Sequence, residues 1–375
     1  MITYIIYGFI FSLILCGYCN AKFYAHQQKN YYKYLLVLLF FSFIIFTSFR
    51  VIFLDTDDYT ALGGIDATSY KKYFENANLS LKDYYSNNYS EPLYELFVWL
   101  TRKISSDFRL FLTIYYTIIF TIQIKILSKI KISKSVFISY FAVCFLLIVT
   151  SFSAMRNVLS VFVSWMAFMA LDEKNYTKSF LWITVSSLIH YSAVICFPMW
   201  FICCLSERKD GFSLKKAFQY WGGGVMLIIM LLYFLPNLLL HVKPEYIHYL
   251  NQPSEIAINQ TIGRSIIVLL VILKFKDLIR HNSMNRIMFI ALLVTLYVPL
   301  LQIMLPIMYR MLLFGNLATF FLISELIAVF PLNRKRFLMN FCINSVLLFY
   351  LLLTIISFSR NALPSYGLNY VNSLF

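Results

Sequence analysis

The sequence is poor in the residues a soluble protein uses to hold water and a loop-rich one uses to turn. Of 375 residues only 13% are charged, with 11 Gly, 9 Pro and 7 Cys; an ordinary soluble domain carries roughly 25% charged residues. Scarce Gly and Pro exclude collagen-like and low-complexity chains, and the few scattered cysteines exclude a disulfide scaffold. No P-loop, G-x-S-x-G or H-E-x-x-H occurs, so ATP-driven and soluble-hydrolase chemistries have no motif to rest on. No two histidines have metal-ligand spacing. Cys16 and Cys19 form a C-x-x-C inside an apolar run, where packing is the simpler reading than zinc or redox chemistry.

What is abundant is apolar. Hydrophobic residues make up 60% of the chain, with 37 Phe and 28 Tyr, and the mean hydropathy is +0.72. A soluble fold cannot hide that much apolar surface, and the composition predicts an all-α, polytopic integral membrane protein. The formal net charge of +15 does not argue for nucleic acid, because no basic tail or aromatic-basic module accompanies it. About 20 of the 32 Lys and Arg fall in six short polar gaps between apolar runs, the positive-inside pattern of a multi-span protein.

A helix needs roughly 20 apolar residues to cross the ~30 Å hydrocarbon layer. The run from Tyr4 to Cys19 has no basic n-region and no cleavage site of small residues after it, so it reads as a retained helix rather than a removed signal peptide. A basic gap (Lys22, Lys29, Lys33) and a second run, Tyr34 to Phe53, follow. Residues 54–90 mix Asp55, Asp57, Asp58, Asp66, Glu75 and Asp83 with Tyr, Asn and Ser, which predicts a folded extracytoplasmic loop. The remaining basic clusters, around Lys125–Lys134, Lys174–Lys178, Arg208–Lys216, Lys274–Arg286 and Arg334–Arg336, are then cytoplasmic. For that alternation to hold, Glu91 to Lys103 must not cross, and reads as a half-buried or re-entrant helix on the outer side. Residues 179–205 are too many for one span and too few for two. Half-helices of about 12 and 15 residues reach only ~18 and ~22 Å, so a short hairpin with His190-Tyr191-Ser192 at its tip is expected. Irregular backbone at such depth persists only where protein or a water-filled cavity covers it. Beyond it, residues 217–240, 262–275, 287–306, 309–331 and 337–357 read as spans, with a second outer loop at 241–260. The scheme is a single polytopic membrane domain over 1–375, with about ten full spans plus the hairpin, and Trp221-Gly222-Gly223-Gly224 marks close helix packing.

Four arginines break the positive-inside bias. Arg50 closes the second run at its outer end, Arg156 follows the outer turn Thr150-Ser151-Phe152-Ser153, Arg264 follows the second outer loop, and Arg310 follows Pro306 and Tyr309. A cation held near hydrocarbon is costly and needs a partner or a role. Each alone could snorkel to headgroups or pair with Asp57 or Asp66. All four together are more economically explained by an outward-facing cavity for an anionic group, since the guanidinium fork suits phosphate. His190 reads either as a packed histidine or as a general acid or base. Glu325 is the one acidic residue inside a span, fewer than a proton-coupled transporter usually carries.

Several short elements, taken in order, resemble the EpsG-like, Wzy-type polysaccharide polymerases. They are Phe49-Arg50; Gly64-Ile65-Asp66 with Tyr70, Tyr73 and Phe74; Glu91-Pro92-Leu93-Tyr94; Ala154-Met155-Arg156-Asn157; Leu188-Ile189-His190-Tyr191-Ser192-Ala193; and Tyr309-Arg310. The resemblance implies a bacterial inner-membrane enzyme with its active site facing outward. It would transfer a growing glycan from undecaprenyl pyrophosphate to a lipid-linked repeat unit of O-antigen, capsule or exopolysaccharide, without cofactor or metal. On that reading Arg156 and Arg310, with Arg50 and Arg264, hold the pyrophosphate, His190 or Asp66 serves as base, and Tyr70 and Tyr309 contact substrate. The implied partners are the undecaprenyl-pyrophosphate-linked oligosaccharide, membrane lipids, and a chain-length regulator and flippase of the same pathway. The alternatives are a lipid-linked oligosaccharide flippase and a glycan ligase. A flippase should carry its charges through both leaflets, usually with an internal repeat; here the unusual charges gather at one face and no repeat is visible.

Overall fold

The computed structural model describes residues 31–50, 52–54, 61–62, 66–87, 91–129, 148, 150–152, 154–208, 211–227, 258–302 and 306–329, with isolated positions among the first twenty. The expected first span (for the most part), the span between Lys134 and Thr150, most of the outer loop 241–260 and the last span 337–357 lie outside the described residues. The described chain is helical except for two antiparallel pairs of two-residue strands: β1 (Phe53–Leu54) with β2 (Ala61–Leu62), and β3 (Glu207–Arg208) with β4 (Gly211–Phe212). It groups into two compact units, which are taken in turn. The described residues up to Phe162 belong to the first, together with Leu188–His190; Val163–Ser187 and Tyr191–Val329 form the second.

In the first unit, α1 (Tyr31–Ser48) packs against α5 (Phe108–Lys129). Both are apolar around most of their circumference, as expected of helices buried or lipid-facing on every side. Phe40 meets Phe120 and Phe43 meets Tyr116 edge to face, with ring centroids 5.5 and 5.9 Å apart. Within α5, the 19 residues Phe108–Ile126 are long and apolar enough to cross a membrane.

Three shorter helices stand between them in sequence. α2 (Ala67–Asn76) buries Ala67, Tyr70 and Phe74, one face at i, i+3, i+7 spacing, and leaves Lys71, Lys72 and Glu75 exposed. Phe74 packs 5.5 Å from both Phe108 and Phe111. α3 (Leu81–Asn87) starts at Ser80, whose Oγ accepts the Asp83 N–H at 3.2 Å, an N-terminal cap, and donates to Asp83 Oδ2 at 2.5 Å. The expected folded loop therefore carries two helices. α4 (Pro92–Ile104) begins with proline at its first helical position and buries Tyr94, Glu95, Val98 and Thr101. Its 13 residues rise only ~20 Å, short of the ~30 Å needed to cross. α6 (Met155–Asp172), of which Met155–Phe162 belong to this unit, then opens after the turn at Ser151 and Phe152.

In the second unit, α7 (Tyr176–Ile189) and α8 (Cys196–Ser206) run antiparallel. Trp200 Nε1 donates to Tyr176 O at 3.3 Å, and Phe180 lies 5.6 Å from Phe197 and 5.4 Å from Trp200. The hairpin read from the sequence is present. Its bend is not an open turn: one non-helical residue, His190, is followed by a 3₁₀ turn, Tyr191–Ile195.

A further helix, α9, covers 214–227. It is followed by α10 (Ile258–Leu273), α11 (Phe275–His281), α12 (Asn285–Thr295), α13 (Val298–Gln302) and α14 (Leu313–Val329), the last entered through a 3₁₀ turn, Pro306–Leu312. Asn285–Gln302 is the second stretch among the described residues that is long and apolar enough to cross. α12 and α14 approach closely at Gly315, where a Cβ would lie 2.7 Å from Thr295 Oγ1. The expected close packing at Trp221–Gly224 is localised to one residue. A Cβ at Gly224 would collide with the Tyr297 hydroxyl, whereas Gly222 and Gly223 have nothing within 4 Å among the described residues. Tyr297 donates to Trp221 O at 2.7 Å, and Trp221 Nε1 donates to Leu293 O at 2.8 Å.

Candidate functional site

α4 decides where the acidic groups of the first unit go. Proline disfavours the α region for the residue before it, and Glu91 is extended (φ −142°, ψ 92°). A residue in that position commonly turns its side chain onto its own helix terminus, but Glu91 makes no such cap. Its carboxylate points instead at two residues distant in sequence. Oε2 lies 2.9 Å from Arg156 Nη1, and Oε1 lies 3.5 Å from His190 Nε2.

Both Glu91 and His190 are buried, while about a quarter of the Arg156 side chain is accessible (27%). Arg156 is held on its other sides by tyrosine: its guanidinium carbon lies 5.9 Å from the centre of the Tyr70 ring, within range of a cation–π contact. Tyr70 packs edge to face on Tyr94, 6.1 Å between centroids. One turn below Glu91, Glu95 is also buried and accepts the Tyr84 hydroxyl at 2.5 Å. Burial raises the pKa of Glu95, against the opposing pull of Tyr84 and Arg156. Burial and the adjacent Glu95 likewise push the Tyr84 hydroxyl up.

The arrangement brings together one permanent cation with an accessible edge, one imidazole, and a carboxylate that touches both. Chemically it can bind an anionic group at Arg156 and exchange a proton at His190. Among the described residues, no three His, Cys, Asp or Glu side chains are grouped to hold a metal ion.

The residues singled out from the sequence are distributed as follows. Arg156, His190 and Tyr70 share this site. Arg50 belongs to the same unit but is buried between rings, 4.2 Å from the centre of Phe152 and 5.5 Å from that of Tyr116, and it donates to Thr47 O. Tyr116 in turn bonds Ser151 at 3.0 Å, so Arg50 fastens α1 to the turn that precedes Arg156. Asp66 is exposed at the N-terminus of α2, where its carbonyl accepts the Tyr70 N–H at 3.0 Å.

Arg264 and Arg310 belong to the second unit. Arg264 does not open its helix, which begins two turns earlier at Ile258; it is buried and donates to Leu312 O (3.1 Å) and Asn316 Oδ1 (2.8 Å). Arg310 and Tyr309 lie in the 3₁₀ turn that leads into α14, with Arg310 half-buried. Glu325 is wholly buried, 3.4 and 3.3 Å from the Nδ2 atoms of Asn282 and Asn285 and 3.5 Å from His281 Nε2. That set of polar partners explains how one carboxylate is tolerated in an apolar helix.

Sequence reasoning passes over Glu91 and Glu95. The signal for Glu91 is present: it heads Glu91-Pro92-Leu93-Tyr94, an acidic residue placed before a helix-starting proline. Glu95 has a fainter one, falling on the apolar face that includes Tyr94, Val98 and Thr101.

No curated protein and no solved structure shows significant similarity to the chain. The sequence profile of the EpsG family matches residues 58–369, a stretch that contains Tyr70, Glu91, Arg156, His190, Arg264 and Arg310. The chain therefore belongs to the EpsG family, membrane proteins of the Wzy-like polysaccharide-polymerase kind.

Proposed function

We propose that the protein is a polytopic enzyme of the bacterial plasma membrane that elongates a glycan on the extracytoplasmic face. The donor is a growing chain on undecaprenyl pyrophosphate, and the acceptor is the terminal sugar hydroxyl of a lipid-linked repeat unit. The acceptor oxygen bonds to the anomeric carbon of the donor, the bond from that carbon to the diphosphate oxygen breaks, and undecaprenyl pyrophosphate leaves with the electron pair. The acceptor proton passes to a base. The observation that carries this reading is the pairing of Arg156 with His190 through Glu91, in a chain of the EpsG family.

Each part answers a need of the reaction. Negative charge develops on the leaving group, and a preorganised guanidinium stabilises it best where water is scarce. Arg156 takes that role. His190 takes the proton; its burial beside a carboxylate favours it over the exposed Asp66. Tyr70, buried against Tyr94, holds Arg156 in place instead of presenting a face to sugar. Arg50, buried between two rings, positions the turn before Arg156.

The test is the glycan ladder of cells carrying Arg156→Ala, Arg310→Ala or His190→Ala. Single repeat units on the surface acceptor support the polymerase. Repeat units trapped inside the cell would assign the protein to flipping instead.

A further inference from the structure

The pairing of Glu91 with Arg156 presents a difficulty for a phosphate site. A guanidinium 2.9 Å from a carboxylate already has its charge balanced, and a second anion must compete with that carboxylate. The same carboxylate has another cationic or hydrogen-bonding partner within reach, His190 Nε2 at 3.5 Å from the other oxygen. Glu91 makes no side-chain cap at its own helix terminus, and its backbone is restricted by Pro92.

We propose that Glu91 is a positioning residue that couples donor binding to proton transfer: it occupies the diphosphate position on Arg156 while the site is empty, and is driven onto His190 when the diphosphate arrives. This rests on the polymerase reading above. A diphosphate carries several negative charges against the single charge of the carboxylate, and attraction to the guanidinium scales with that charge. Displacement of Glu91 from Arg156 by the ligand is therefore favourable, provided the carboxylate has somewhere to go. His190 supplies that place: an imidazole that has taken the acceptor's proton is stabilised by an adjacent carboxylate, and the same carboxylate fixes the ring before the proton moves. The ionisable groups that act on Arg156 are Tyr70, Glu91, Tyr94 and Glu95. Glu91 lies within reach of both Arg156 and His190.

The coupling makes opposite demands on one residue, and these separate it from a merely structural role. The experiment uses the full-length protein in lipid nanodiscs, with inorganic pyrophosphate as the binding probe and a polyprenyl-diphosphate-linked repeat unit as substrate. Glu91→Gln should bind pyrophosphate about tenfold more tightly, because its competitor for Arg156 has lost its charge. It should lower kcat about 100-fold, the scale of one assisted proton transfer, with KM unchanged or lower. In a His190→Ala background the same substitution should cost nothing further in kcat, since residues acting as a unit are not additive.

Pyrophosphate bound no better by Glu91→Gln than by the wild type overturns the proposal. So does a loss of kcat that multiplies in full with His190→Ala. If Glu91→Gln fails to fold, Glu91→Asp keeps the charge but shortens its reach and should show the same two signs, smaller; opposite signs overturn the proposal. A wild-type protein that makes no chains removes the polymerase reading, while the pyrophosphate comparison still scores Glu91 by itself.

Discussion

The Tyr84 hydroxyl donates to Oε2 of Glu95 across 2.5 Å, and neither side chain is open to solvent. A carboxylate is being kept out of water with one neutral donor and a more distant guanidinium for support. Burial therefore wins, and Glu95 holds its proton to a higher pH than in the unfolded chain. The sign of the linkage follows. The unfolded chain releases this proton near pH ~4, in the ordinary carboxylate range, and the folded one only at a higher pH. Stability from this group is fully present below the unfolded pKa and is lost as pH rises through the folded value. The wild-type melting temperature should fall across that window, and Glu95→Gln, which still accepts from Tyr84, should remove the slope. A wild-type curve that rises with pH, or one that Glu95→Gln leaves unchanged, sinks the assignment.

Arg156 is expected to be intolerant even of lysine. An ammonium keeps the charge but loses the planar fork, so Arg156→Lys should slow chain growth about 100-fold, nearly as much as Arg156→Ala. The two should differ in stability. Removing the cation outright strands a buried Glu91, at a cost of about 3 kcal/mol, whereas lysine can still pair with it. Initial rates and thermal melts on the same preparations check both halves, and a lysine variant with near wild-type turnover would show that charge alone suffices.

His190 and Asp66 separate by the same assay. His190→Ala should lower turnover about 100-fold or more, as for loss of a general base, because it is buried and faces a carboxylate. Asp66→Asn, at an exposed helix start, should cost less than tenfold, in the range of a surface substitution. The reverse order would make Asp66 the base.

Orientation can be read with single cysteines in a background lacking the native ones. Lys82, exposed in α3, should be labelled by an impermeant thiol reagent in intact cells. Lys276, exposed in α11, should be labelled only after permeabilisation, because it sits in one of the basic gaps. Labelling of Lys276→Cys from outside contradicts the scheme.

Local pattern and distant pairing account for what was legible in the sequence. The length of residues 179–205 alone demands a bend near His190, and a bend is there, because span length is a one-dimensional constraint. Arg50 two residues beyond α1, and Arg156 in the first turn of α6, follow from the ends of apolar runs in the same way. The helices α2 and α3 are not separable by eye in a stretch crowded with Tyr, Asn and Ser, where a Ser80–Asp83 cap is one polar pair among many. Glu91 is the instructive miss. Its motif is visible, but its partners Arg156 and His190 reach it through folding, and no periodicity connects positions so far apart. The mutual arrangement of Glu207, Arg286 and Tyr176 was hidden for the same reason. Arg286 Nη1 lies 2.6 Å from Glu207 Oε1, and the Tyr176 hydroxyl lies 2.6 Å from Oε2. Arg286 reads in sequence only as one more cytoplasmic charge.

The close approach of Tyr297 to Gly224 sets how freely this part of the chain can drift. Three consecutive glycines look equivalent in the sequence, yet among the described residues only Gly224 has a neighbour that a methyl group would strike. Gly222 and Gly223 lie in a helix with open space around them, where alanine would improve local helix propensity by about 1 kcal/mol each. A randomised library over 222–224, selected only for folded protein, should therefore return alanine and larger residues at the first two positions and glycine almost alone at the third. Of the three, a single position remembers the shape of its surroundings.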